Sequence, residues 1–307
     1  MGALHERLRT LGYDVDPSHL DFDGSTLAVV EAFQRSRGLP LTGVVDATTW
    51  ERLDEARWQL GDRLLFFSSH PQRGDDVAEL QVRLAKLGFD PGRIDGIFGP
   101  LLYDALREFQ RNRDLDASGA LTKATLQELS RVRGAHEPSS LVTDARDLAG
   151  FTVTTGAVVI SGVGPLYDEL AAALTNRREV HLLADGPHEE TAAFANHHDV
   201  ALVLSVRPLD GVDGVHLHYW ASYRSHSRRG ELIASSLASR VARFADGPRV
   251  EVTGMALPIL RETKMTTVHL EHGNLSQQGR HQLVTVTEGL VDEVIHRTET
   301  KYPSESQ

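Results

Sequence analysis

The chain has 307 residues, 40% of them hydrophobic, enough to bury a substantial core in two or three domains. Its formal net charge of −11 excludes a phosphate-binding basic face on the chain as a whole, and with it a nucleic-acid partner, while leaving room for local basic patches. There are no cysteines, which excludes disulfides and thiolate metal sites.

The opening residues Met1-Gly2-Ala3-Leu4-His5-Glu6-Arg7-Leu8-Arg9 are amphipathic and charged, without the apolar core or small-residue cleavage pattern of a secretory signal. No stretch approaches the ~20 consecutive apolar residues of a membrane span. The expectation is a cytoplasmic chain with no membrane span. Leu4, Leu8, Leu11 and Gly12 recur as Leu80, Leu84, Leu87 and Gly88, an offset of 76 positions. The same offset relates Phe33-Gln34 to Phe109-Gln110, Leu39 to Leu115, Gly43 to Gly119, Thr49 to Thr125 and Leu53 to Leu129. One register kept through so many positions marks a duplicated module.

Each copy predicts three short helices around one small core. The leucines have helical spacing, and Gly12 or Gly88 ends the first helix where a positive φ is needed. A second helix carries Ala28, Glu31, Ala32, Phe33 and Gln34, or Ala105, Glu108, Phe109 and Gln110. A third spans 47–53 or 123–129, with Thr48 and Thr122 as expected caps. In the second copy Leu87-Gly88-Phe89, Ile94-Asp95-Gly96-Ile97-Phe98-Gly99-Pro100 and Phe109-Gln110 resemble the three-helix peptidoglycan-binding module of the first type. The first copy is worn, with Asp21-Phe22-Asp23-Gly24 in place of the Asp-Gly-x-Phe-Gly turn. That resemblance makes Asp95, Gly96, Phe98, Gly99, Phe109 and Gln110 candidate binding residues; the competing reading of Phe98 and Phe109 is plain core packing.

The expected layout is a first module at 1–56, a connector at 57–79 apolar enough to pack the copies together, and a second module at 80–133. A polar, proline-containing linker follows at 134–150, then an α/β domain at 151–297 and a polar tail, 298–307, expected to be disordered. Within the α/β domain, strands are predicted at 153–160, 180–183, 200–206, 215–220 and 267–270, and helices at 166–174, 188–196, 230–244 and 283–296. Such alternation predicts a mostly parallel, twisted sheet with helices on both faces.

Phe194-Ala195-Asn196, the strand Ala201-Leu202-Val203-Leu204-Ser205-Val206, Gly214 to Trp220, Leu260 to Met265 and Leu270 to Ser276 together resemble the zinc-dependent N-acetylmuramoyl-L-alanine amidases of the third type. The whole order, two modules before such a domain, resembles the actinobacterial CwlM-like proteins. Enzymes of the amidase family hold zinc with a histidine in an Asp-Pro-Gly-His-Gly-Gly loop after the first strand, a glutamate on the next helix, and a histidine in Ser-x-His-Ala-Asn. Here the first strand ends Ile160-Ser161-Gly162-Val163-Gly164-Pro165, Asp168 and Glu169 follow within a few residues, and Arg207 occupies the second histidine's place. A guanidinium is always protonated and offers only donors, so it cannot ligate Zn²⁺. Glu271 matches the family's catalytic glutamate, but without a metal-bound water it has nothing to activate.

His216 and His218 alternate on a strand and share one face, and His272 adjoins Glu271. They are read as exposed or hydrogen-bonded structural histidines, and a zinc set built from them is the alternative. Arg207, Arg224, Arg228 and Arg229 form a basic group, either a solvated loop or an anion site in the former cleft, and Arg207 and Arg228 are taken as candidate binding residues. No His-Glu-x-x-His, Gly-x-Ser-x-Gly or P-loop pattern occurs. The CwlM-like resemblance implies a phosphorylated threonine near the end, for which Thr298 and Thr300 are candidates. It also implies partners among peptidoglycan-synthesis or precursor-handling proteins, lipid II transport and phosphothreonine readers, with peptidoglycan fragments as a further ligand class. Three readings follow: a non-catalytic cytoplasmic regulator of peptidoglycan synthesis with no cofactor, a zinc amidase with a shifted metal set, or a wall-binding module.

Overall fold

The computed structural model describes residues 1–16, 21–132, 156–198 and 200–301, with side chains to residue 295. It divides into an amino-terminal helical unit and a carboxy-terminal α/β unit. The helical unit contains α1 (Gly2–Thr10), α2 (Gly24–Arg37), α3 (Ala47–Ala56), α4 (Asp75–Lys86), α5 (Pro100–Asn112) and α6 (Lys123–Arg131). The leucines of α1 and α4 bury one helical stripe each, and two separate cores result. Leu4, Leu8, Val30, Phe33 and Leu53 make the first. Leu80, Leu84, Phe98, Leu106, Phe109 and Leu129 make the second.

The duplication extends to hydrogen bonds. Gln34 Oε1 accepts from the Gly43 N–H at 2.9 Å while its Nε2 donates to the Val44 carbonyl and Thr49 Oγ1. Gln110, 76 positions on, accepts from the Gly119 N–H at 2.9 Å and donates to the Ala120 carbonyl and Thr125 Oγ1. Gly43 and Gly119 have φ of 65° and 71°, and a Cβ there would collide with Leu27 and Tyr103, which are themselves equivalent positions. Of the expected caps, Thr122 does accept from the Thr125 N–H, but α3 is capped by Asp46, whose carboxylate accepts from the Thr49 N–H at 2.7 Å. Thr48 is therefore not the cap; Asp46 is the position that the repeat register pairs with Thr122.

The expected connector supplies Leu65, fully buried in the second core, and Arg63, which donates to Asp76 at 2.7 Å. The expected linker, 134–150, lies outside the described residues.

The α/β unit runs β1 (Val158–Gly162), α7 (Pro165–Thr175), β2 (Val180–Ala184), α8 (His188–His198), β3 (Leu202–Pro208), β4 (Val215–Trp220), α9 (Arg228–Val241), β5 (Val250–Met255), α10 (Pro258–Glu262), β6 (Thr266–His272) and α11 (Gln277–Lys301). The sheet order is β2-β1-β3-β6-β4-β5, parallel except where β4 meets β6 antiparallel. One face, with Ile160, Leu204, Val206, Leu217 and Leu270, packs on α7, α9 and α11. The other, with Val159 and Val203, is covered by Ala192 and Ala195 of α8 and by Ile259 and Leu260 of α10. Asn196 ties these two helices, its Nδ2 donating to the Glu262 carbonyl and its Oδ1 accepting from the Lys264 N–H, both at 2.8 Å.

β5 and α10 are additions to the sequence reading. β5 is a half-buried edge strand without a clear apolar run, and α10 has five residues, fewer than two helical turns. The tail expectation is corrected over 298–301 alone: α11 continues to Lys301 because nothing in Arg297-Thr298-Glu299-Thr300-Lys301 breaks a helix before Pro303. The side chains of Thr298 and Thr300 lie outside the described residues, as do residues 302–307. Among the described residues, no helix is long and apolar enough to cross a membrane.

Candidate functional site

Strand register assembles a polar stripe on the face covered by α8 and α10. Ser161 pairs with Ser205, Ser205 with His269, and His269 with His218, so the four lie in one row across β1, β3, β6 and β4. The next row, two residues on, holds Arg207, Glu271 and His216. Ser161, Ser205, His218 and His269 are buried, whereas Arg207, Glu271 and His216 are partly open.

Glu271 is the hub. Its Oε2 lies 3.1 Å from His218 Nε2 and its Oε1 lies 3.5 Å from His269 Nε2. The hydrogen bond from His218, then that from His269, hold its carboxyl well below the usual carboxylate range although burial acts in the other direction. His269 Nδ1 is 3.0 Å from Ser205 Oγ. With a Glu271 carboxylate able only to accept, His269 carries its proton on Nε2 and accepts a hydrogen bond from the Ser205 hydroxyl at Nδ1. Burial lowers the His269 pKa and keeps the ring neutral. His188, at the start of α8, is 5.3 Å from His269 between ring centres. Its pKa is pushed down to about 4 by burial, then by the charge of Arg207 and by His269.

Arg207 is committed to its own partners. Its Nε donates to Asp185 at 2.8 Å and its Nη2 to the Gly186 carbonyl at 2.6 Å. Arg228 is elsewhere: β4 carries the chain back to the opposite edge of the sheet, where the Ser227 N–H bonds the Trp220 carbonyl immediately before α9. The anion-site alternative, which needs Arg207 and Arg228 in one cleft, is thus set aside by the antiparallel run of β4. His272 is also removed from the cluster, since neighbours on a strand face opposite ways and its Nδ1 meets the Gly273 carbonyl. His269 takes its place. The signal for it was the two-residue spacing to Glu271 within a strand.

In the second module, Phe98, Phe109 and Gln110 are wholly buried, which corrects their reading as binding residues in favour of core packing. Asp95 accepts from Gln81 Nε2 and the Ile97 N–H, both at 2.9 Å, and the Gly96 N–H donates to Gln81 Oε1. Gly99 starts α5 at its amino-terminal cap position. The signature residues therefore build the turn and the core beneath the module's surface.

Residues 1–53 and 73–129 match the family described as a putative peptidoglycan binding domain. N-acetylmuramoyl-L-alanine amidase CwlM of Mycobacterium tuberculosis is 31% identical over 295 residues, covering 83% of this chain and 72% of that protein. The chain belongs to the CwlM family of amidase-like proteins. CwlL of Bacillus licheniformis, also named an N-acetylmuramoyl-L-alanine amidase, is 26% identical over 41% of this chain and 42% of its own length. The catalytic domain of CwlV, an amidase from Bacillus (Paenibacillus) polymyxa var. colistinus, aligns with 46% of this chain and 98% of its own, at 13% identity and a TM-score of 0.37.

The zinc that amidases of the third type carry does not fit this CwlM-family chain at the matching positions. β1 passes into α7 through Val163 and Gly164 alone, leaving no loop for a histidine. Gly162, with φ of 151°, lies so close to β3 that a Cβ would stand 2.0 Å from the Val206 carbonyl oxygen. Glu169 on α7 belongs to the other face of the sheet and pairs with Arg280 of α11 at 2.7 Å. At the third position the Arg207 cation stands where a lone pair is required.

Proposed function

We propose that this protein is a non-catalytic, cytoplasmic regulator of peptidoglycan synthesis, its modules and amidase-like domain serving as docking surfaces for wall fragments or for precursor-handling and wall-synthesis proteins. The observation that carries the reading is the Arg207 guanidinium, anchored by Asp185 and Gly186 at the strand end that bears a zinc histidine in the hydrolytic relatives. Phosphorylation of Thr298 or Thr300 belongs to the same reading as the control of partner binding.

The test is incubation of the full chain with muropeptides and with insoluble sacculi, with and without added Zn²⁺. Retention without release of stem peptide is expected, together with loss of a co-purifying wall-synthesis partner when Thr298 and Thr300 are both changed to Ala. Turnover that a chelator and Glu271→Gln both abolish would sink the reading. It would favour the second one, a zinc amidase with a displaced metal set, for which the convergence of His216, His218 and Glu271 speaks.

A further inference from the structure

We propose that His216, His218 and Glu271 bind one divalent transition cation of the zinc class, displaced from β1 and β3 to the β4–β6 pair. Among the described residues these three offer ligand atoms that all lie within 4.8 Å of one another. His216 stands directly opposite Glu271 in the antiparallel register, and His218 lies on the same face. Both ligand strands are inside the sheet rather than on loops, so their backbones are held. A tetrahedral zinc with bonds of ~2.0–2.1 Å needs ligand atoms about 3.3 Å apart. His218 and Glu271 already stand at 3.1 Å; binding requires His218 Nε2 to exchange the proton it shares with Glu271 for the cation, and the partly exposed His216 to turn toward both.

The surroundings suit a cation. Ser205 orients His269, and His269 donates to the Glu271 oxygen that His218 does not touch, the outer-shell arrangement that steers a ligating carboxylate. Glu251, 3.6 Å from His216 Nε2, adds a second negative charge. Arg207, the cation beside Glu271 in the sheet, is neutralised by Asp185. Two imidazoles and one carboxylate favour zinc, cobalt, nickel or copper over magnesium or calcium. The partial exposure of His216 and Glu271 leaves a solvent-facing coordination position. With Glu271 serving as a ligand, the carboxylate matching the family's catalytic base is occupied, so cation binding goes beyond the non-catalytic reading without contradicting it.

The test uses untagged full-length protein stripped with chelator and titrated with Co²⁺ and Zn²⁺. One equivalent is expected, with the visible Co²⁺ absorption of a four- or five-coordinate nitrogen and oxygen site. His216→Ala and Glu271→Gln should each weaken binding about 100-fold or more, beyond the ~10–100-fold typical of outer-shell partners. A His197→Ala, His198→Ala variant, which removes an exposed histidine pair at the end of α8, should bind as the parent does. Far-UV circular dichroism verifies that each variant is folded, and His216→Gln serves if His216→Ala is not. Sub-stoichiometric binding, or binding that survives the His216→Ala, Glu271→Gln double variant, overturns the site. Muropeptide cleavage by the metal-loaded protein would retain the site and defeat the non-catalytic reading; absence of metal binding would do the reverse.

Discussion

Gln110 bonds through its buried carboxamide to Gly119, Ala120 and Thr125, closing the turn that follows α5. Truncation strands a buried N–H and a buried carbonyl, each costing about 1–3 kcal/mol. Gln110→Ala is therefore expected to destabilise the second module by about 3 kcal/mol, and Gln34→Ala to do the same to the first, as measured by urea unfolding. The Phe-Gln pair was legible as a repeated signature and core packing was already a reading of Phe109, but the burial of Gln110 beside it was not legible, because a polar side chain enters a core only where turn groups such as Gly119 and Ala120 meet it. His188 yields a pH prediction. Its folded pKa of about 4 lies below the ordinary 6.5, so the unfolded chain takes up the proton first as pH falls. Its contribution to stability is complete above pH 6.5 and is lost as the pH falls through 4, where Arg207, His269, Asp185 and Glu271 are the charged or titrating groups that face it. A thermal melt of His188→Gln should depend less on pH across that interval than the parent; equal dependence would refute the assignment.

At the scale of elements, α3 and α6 are the same helix used twice, capped by different chemistry at equivalent positions. Asp46→Ala and Thr122→Ala are each expected to cost about 1 kcal/mol, whereas Thr48→Ala should be near neutral, all by chemical denaturation. A large loss from Thr48→Ala would contradict the capping geometry. The strands show where periodicity carried the reading and where it did not. β4 was placed at 215–220 from its alternation, and β3 and β6 to within two residues, because strongly apolar or alternating strands carry a period-two signal. β5 escaped because an edge strand buries little and needs no apolar run. α11 is longer at both ends than its apolar core implied, since polar residues extend a helix wherever no proline or cap stops it.

For the molecule as a whole, the ends of β1 and β3 and the turn between β1 and α7 act together, so no single side chain there sets the chemistry alone. On the non-catalytic reading proposed above, Arg207→His places an imidazole on β3 but does not lengthen the short β1–α7 turn, so the variant is expected to release no stem peptide in a muropeptide cleavage assay. Its stability should change by no more than about 1 kcal/mol, because the Arg207–Asp185 pair is part-exposed and screened. Cleavage by this single variant would show that the short β1–α7 turn is not the obstacle. By itself the sequence determined the duplicated modules, the alternation of strands and helices, and which residues stand where the resembled amidases carry histidine, since periodicity, spacing and residue chemistry are local properties. Only the tertiary structure decided that β4 runs antiparallel beside β6. That reversal sets His216 and His218 against Glu271 and sends Arg228 to the far edge, because register across neighbouring strands depends on chain segments separated by tens of residues.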